Sequence, residues 1–200
     1  MRLEYMPLKD FDVSTCVLTE HPNQPGPTFP PTDWYPSLAA AGLRQTSVHG
    51  PARYWLQVQG SFTRALQRQC THSFHVRVLR EGFARPLQEE AQQLNIAPRK
   101  MAWIREVCLC GDNEDWVLAR TVIPVACLRN SNKRLRHIGN KPLGHYLFRR
   151  PHWHRDSLLT GICKPSAPGQ PELARRSVLR NHRNTLLVSE YFLPALYRQR

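Results

Sequence analysis

Met101-Ala102-Trp103-Ile104-Arg105-Glu106-Val107-Cys108-Leu109-Cys110 reads as a β-strand. Side chains alternate faces along a strand, so Met101, Trp103, Arg105, Val107 and Leu109 share one face. That face is apolar apart from Arg105, whose guanidinium keeps its proton and is costly to bury without a partner. It needs an anion. A second stretch, Thr185-Leu186-Leu187-Val188-Ser189-Glu190-Tyr191-Phe192-Leu193, puts a carboxylate, Glu190, on a face with Leu186, Val188 and Phe192. Two readings stay open. One is a structural ion pair between two strands. The other is a closed pocket in which Arg105 grips a ligand carboxylate and Glu190 acts on the ligand's far end.

Outward from the first strand, Gly111-Asp112-Asn113-Glu114-Asp115 is a polar turn, and Trp116 to Val125 is a second strand closing an antiparallel hairpin. Arg120 falls on a face with Trp116, Leu118 and Val122; it is either a second inward arginine or, the favoured reading, an edge residue facing water. Upstream, Phe74 to Arg80 alternates as a strand, followed by a loop with Pro86 and Pro98. From Ala52 to Gln69 the apolar spacing is helical, broken near Gly60, with Ser61 as an N-cap. Residues 128–150 again read as helix, interrupted at Gly139-Asn140, with Pro142 opening a new helix whose first-turn N–H groups are free. Arg155 to Leu159 is assigned as helix, Lys164 to Pro171 as a loop, and Arg176–Arg180 with Thr185–Leu193 as a last hairpin. Residues 1–50 form a Pro-rich, partly irregular arm, in which Trp34-Tyr35-Pro36 through Leu43 docks on a domain of residues 51–200. The pattern predicts an α+β fold: one sheet of five or six mostly antiparallel strands, with helices on its ligand side.

Composition narrows the function. Hydrophobic content of 41% and charged content of 22% suit a folded domain of 200 residues. No apolar run approaches the ~18 residues of a membrane span, and the first twelve residues carry charges of both signs. A cytoplasmic protein with reduced cysteines is expected. Cys108-Leu109-Cys110 lacks a second pair at metal-ligand spacing, and His152-Trp153-His154 is a weak signal, so no metal is expected. The net charge of +13 is spread along the chain rather than gathered, with no zinc finger, RNP sequence or GXXG loop. A small dianion answers that charge as well as nucleic acid does.

Several segments then occur together in one order: Arg80-Glu81-Gly82-Phe83, Trp103-Ile104-Arg105-Glu106, Leu109-Cys110, Arg120-Thr121-Val122-Ile123-Pro124-Val125, Lys141-Pro142-Leu143-Gly144-His145-Tyr146-Leu147-Phe148, Arg155-Asp156, Arg175-Arg176-Ser177 and Glu190-Tyr191-Phe192-Leu193-Pro194. Across residues 55–195 this resembles the chorismate lyase (chorismate pyruvate-lyase) family, which makes 4-hydroxybenzoate for ubiquinone. The resemblance implies a monomeric, cofactor-free carbon-oxygen lyase with a single six-stranded antiparallel sheet. It implies two helix–turn–helix flaps, at Gly60-Ser61-Phe62-Thr63 and Asn140-Lys141-Pro142-Leu143, over a buried site. By resemblance, Arg105 grips the ring carboxylate, the Leu143 backbone amide also binds it, and Glu190 faces the ring hydroxyl. The first flap departs from the family's Ser-Met-Thr, because Phe62 stands in the middle; a backbone contact survives that change, and pocket volume or product release need not. Arg176 and Arg120 are candidates for the second, enolpyruvyl carboxylate. Slow release and product inhibition are expected of a site under flaps. The partners expected are chorismate and 4-hydroxybenzoate, with no nucleic acid and no membrane span. The alternative is a non-catalytic sensor-like domain of the same fold that binds a small aromatic acid.

Overall fold

The strand alternation read from residues 101–110 belongs to the centre of an antiparallel sheet that has nine strands among the described residues. The computed structural model describes residues 19–20, 29–43, 48, 50–128, 130–147, 153–182 and 184–198. The Pro-rich run at 21–27, Arg149-Arg150 and His152 lie outside them. The strands are β1 (Thr19–Glu20), β2 (Thr32–Tyr35), β3 (Phe74–Ala84), β4 (Ala102–Gly111), β5 (Glu114–Pro124), β6 (His154–Arg155), β7 (Leu159–Cys163), β8 (Leu173–Asn181) and β9 (Asn184–Phe192). Eight run edge to edge in the order β1-β3-β4-β5-β9-β8-β7-β2, and β6 pairs β8 off that path. The expected six strands are corrected on this point. The middle six of the row are joined by short β1 and β2 at its ends, and β6 and β7 replace the helix assigned to 155–159. A two-residue strand shows no periodicity to read, and in β7 both Thr160 and Gly161 are buried, so β7 does not alternate.

Both hairpins turn where a left-handed backbone is available. Asp112 and Asn113 sit at φ 49° and 66° between β4 and β5, and His182 at φ 49° between β8 and β9. Asp112 also ties down the entry to β3: its carboxylate accepts the N–H groups of Thr71, His72 and Ser73 at 2.7–3.0 Å.

Helices α1 (Pro51–Gln57) and α2 (Phe62–Gln69) cover one face of the sheet, and Ser61 caps α2 by accepting the Arg64 N–H at 3.3 Å. The Gly60 break has φ 74°, which a residue with a Cβ avoids. Residues 125–128 and 130–137 are 3-10 turns rather than α-helix, and α4 (Leu143–Leu147) follows the bend at Gly139. Two apolar clusters fill this face. Phe62, Leu66, Val107, Val117 and Phe192 belong to one, and Trp103, Ile123, Leu135, Leu147 and Leu186 to the other.

The second face is covered too. Helix α3 (Gln88–Gln93), inside a segment expected to be loop, carries the fully buried Glu90. Glu90 accepts from Arg120 Nε and Nη2 at 2.8 and 3.0 Å, and Arg120 also pairs with Glu106. Arg120 is therefore an inward, neutralised arginine and does not face water. Arg176 lies on this face as well, bound to both Glu89 oxygens at 2.8 and 3.0 Å and stacked 3.8 Å over the Trp34 ring. No helix among the described residues is long and apolar enough to cross a membrane.

Candidate active site

The register of the central strands sets two rows of side chains on the face beneath the helices. Arg105, Thr121, Val188 and Ser177 are successive partners across β4, β5, β9 and β8, and Val107, Ala119, Glu190 and Arg175 form the next row. Strands lie about 4.8 Å apart and same-face neighbours about 7 Å along, so the backbones of Arg105 and Glu190 are separated by about 12 Å. That spacing settles the partner question. Glu190 pairs with its cross-strand neighbour, Arg175 Nε to Oε2 at 2.5 Å, and not with Arg105. The structural ion pair read from the sequence exists, with a different arginine.

A cavity of about 40 Å³ lies at the junction of the two apolar clusters. Arg105, Glu190, Phe62 and Leu143 all line it, together with Arg155 and Thr121. The four residues singled out in the sequence thus meet at one place. A larger open groove of about 630 Å³ beside Leu38 and Leu158 has Arg53 as its one charged lining residue among the described residues, so size does not pick the site. The 40 Å³ cavity suits a water or two, and an aromatic ring enters only if a wall gives way. Ser61, Thr63, Pro142 and Gly144 line both this cavity and an outer hollow of about 370 Å³, so the two helix breaks are the partition between inside and outside.

Arg105 is 2% exposed. Its Nη2 donates to the carbonyls of Gly139 and Lys141 at 2.6 and 3.3 Å, which ties β4 to the second break. Its buried Nε makes no hydrogen bond among the described residues and lies 3.6 Å from a Glu81 oxygen. Burial pushes this guanidinium down to about 10, against the opposing pull of Glu81. A buried donor without an acceptor is a site that a ligand carboxylate would satisfy.

At the other end, Arg175 holds more than Glu190. Its Nη1 donates to the carbonyls of Trp55 and Val58 at 3.2 and 2.7 Å, closing the C-terminus of α1. The Phe62 ring lies 3.9 Å from the same guanidinium and stacks on Phe192 at 5.7 Å. Phe62 therefore roofs the Arg175–Glu190 pair and takes up room beside it. Leu143 is the first residue of α4, whose N–H a helix leaves without an intrahelical partner; two residues on, His145 N–H donates to the Pro142 carbonyl at 3.2 Å.

The two candidates for a second carboxylate contact, Arg176 and Arg120, are both on the opposite face with carboxylates of their own. They are corrected to structural residues. Sequence reasoning missed Arg175 and Arg155. Counting outward equally from the Asn181–Asn184 turn reaches Arg175 and Glu190 together, which would have found the first. Arg155 sits in a two-residue strand and had no such signal. One cluster among the described residues offers metal-ligand atoms: Cys108, Cys110 and Asp115, within 4.8 Å of one another on the face away from the cavity. Asp115 is held there by Arg77 at 2.5 Å.

The family model described as chorismate lyase matches residues 41–200. A protein of Marinobacter nauticus named "Probable chorismate pyruvate-lyase" is 57% identical over 192 residues, covering 96% of this chain and 97% of its own. "Chorismate pyruvate-lyase" of Yersinia enterocolitica is 43% identical, over 70% of this chain and 80% of its own. Among solved structures, the effector domain of PhnF from Mycobacterium smegmatis superposes with a TM-score of 0.51 at 15% identity, covering 68% of this chain and 90% of that one; this is a likeness of fold alone.

Proposed function

We propose, on the premise that the chain belongs to the chorismate lyase family, that it eliminates pyruvate from chorismate to leave 4-hydroxybenzoate, the aromatic precursor of ubiquinone. The observation that carries the assignment of residues is one cavity with Arg105 toward one end and Glu190 toward the other. Chorismate is a dianion whose ring carboxylate and ring hydroxyl lie para to each other. Arg105 takes the carboxylate, whose oxygens meet the Nε that lacks a hydrogen bond among the described residues, and the Leu143 backbone amide is the second donor. The backbone at Phe62 is the third side of the ring site.

The chemistry asks little of the protein. The C3–O ether bond breaks and its electron pair leaves on the enolpyruvate oxygen. The C4–H pair becomes a ring double bond, and the ring turns aromatic. The proton lost from C4 is balanced by one gained at the enolpyruvate methylene, giving pyruvate. No oxidant or external electron source is required. Binding, orientation and exclusion of water supply most of the rate, with Glu190 aligning the ring hydroxyl and accepting charge or proton at that end. The partition of Ser61, Thr63, Pro142 and Gly144 must open for the ring to pass, so the breaks act as flaps and product leaves slowly.

Purified protein incubated with chorismate should form 4-hydroxybenzoate and pyruvate in equal amounts. Arg105→Ala should lose about 2–5 kcal/mol of 4-hydroxybenzoate affinity, because it strips the one arginine given to the ring carboxylate. Tight 4-hydroxybenzoate binding by the wild type without turnover would return the sensor reading.

A further inference from the structure

Chorismate has a second carboxylate, on the group that leaves, and none of the contacts assigned above takes it. We propose that Arg155 binds the enolpyruvyl carboxylate and stabilises the negative charge that collects on that group as the C3–O bond breaks. The inference rests on the lyase reading of the same cavity.

Arg105, Arg175 and Arg176 of the sheet are buried and Arg120 and Arg155 half-buried, and their partners separate them. Arg120, Arg175 and Arg176 each form a close ion pair with a carboxylate, and Arg105 has Glu81 at 3.6 Å. Arg155 has no ion pair among the described residues; its recorded hydrogen bond goes from Nη1 to the neutral Ser177 hydroxyl. It nonetheless lines the cavity. Arg175 does not, since its guanidinium lies behind the Phe62 ring and is spent on Glu190 and two carbonyls.

Position agrees with the substrate. Arg155 is fixed in β6 by pairing with Leu179 of β8, and its neighbour Asp156 N–H donates to the Val178 carbonyl at 2.9 Å. Ser177, which it touches, ends the row that begins at Arg105, three strands or about 14 Å away. Glu190 lies on β9, one of the two strands between them. A ring held by its C1 carboxylate at Arg105, with its C4 hydroxyl at Glu190, carries the C3 substituent on the Glu190 side. The cation available there, facing the cavity and lacking an anion, is Arg155. Burial disfavours the Arg155 charge, and the nearby Glu190 and Arg175 act on it with opposite signs, so a ligand carboxylate is the anion that would answer it.

The test compares two ligands on one variant. Arg155→Gln and Arg155→Lys are measured for chorismate turnover and, by fluorescence titration, for 4-hydroxybenzoate affinity. The product lacks the second carboxylate. The proposal expects Arg155→Gln to lower kcat/KM for chorismate by about a hundredfold or more, to leave the 4-hydroxybenzoate Kd within about threefold, and Arg155→Lys to recover part of the loss. Unchanged product affinity also certifies that the variant is folded. A parallel loss of product affinity, or turnover equal to wild type, would overturn it. If the wild type itself makes no product, the lyase reading has failed. Chorismate affinity against 4-hydroxybenzoate affinity in the wild type and Arg155→Gln then still decides the inference, since a dicarboxylate site predicts selective loss of chorismate.

Discussion

Glu190 is held by the fold and offered to the ligand at once. Its Oε2 binds Arg175, and Arg175 binds the carbonyls that end α1. Removing the carboxylate strands a buried cation, a loss of about 3–5 kcal/mol. Glu190→Ala should therefore lower stability as well as activity. The double variant Glu190→Ala with Arg175→Met should be more stable than the sum of the single losses by urea denaturation, while turnover stays lost; simple additivity would mean the pair is not coupled. At this scale the sequence was informative where alternation applied. Arg105 and Glu190 stood out as charges within long apolar faces. Their partners did not, because a partner lies on another strand, and which strand is a matter of sheet order that no local pattern carries.

Elements were legible in proportion to their length. The two long hairpins and the α1–α2 pair emerged from turn residues and apolar spacing. Helix α3 did not, because Gln88-Glu89-Glu90-Ala91-Gln92-Gln93 has one apolar residue and its anchor is a buried acid. Residues 130–137 are 3-10 turns, and in an α-helix Lys133 and Arg136 would set like charges at i,i+3 spacing. The anchoring of α3 is testable on its own. Glu90→Ala removes both Arg120 contacts and the Leu87 N–H acceptor at 2.9 Å, and should cost about 2–4 kcal/mol. Hydrogen exchange should rise across residues 88–94. Because α3 lies on the face opposite the cavity, KM for chorismate should stay within about twofold.

At the scale of the whole molecule, the central strands β4, β5, β8 and β9 are buried on both faces, and burial decides the response to alkali. Burial pushes the Cys163 thiol from 9.0 up to about 11 and the Tyr191 hydroxyl from 10.0 up to about 12. Both groups are neutral in the fold and ionise more easily in the unfolded chain. Their stabilisation is complete below pH 9 and is lost as pH rises through about 11 to 12. Tm should fall across that window, and Cys163→Ala should flatten its lower half. The second covered face was the part of the architecture that sequence reading understated, since it depends on Trp34 reaching across β7 to Arg176 and on α3 reaching Arg120.

That same short strand, β2, covers the outer side of β7, with Thr32 to Tyr35 paired against Cys163 to Thr160. An uncovered β7 would present a row of open N–H and C=O groups along Leu159-Thr160-Gly161-Ile162-Cys163, a template on which another copy can stack. Trp34 also packs so closely over Gly161 that a Cβ there would sit 2.7 Å from its ring. The row now ends at β2, which is only four residues long and stands between Pro31 and Pro36, so a chain beginning at residue 37 should trade a blunted edge for an open one, and sedimentation velocity should show it self-associating with rising concentration. Four residues of backbone would then be what keeps this sheet from growing past its own boundary.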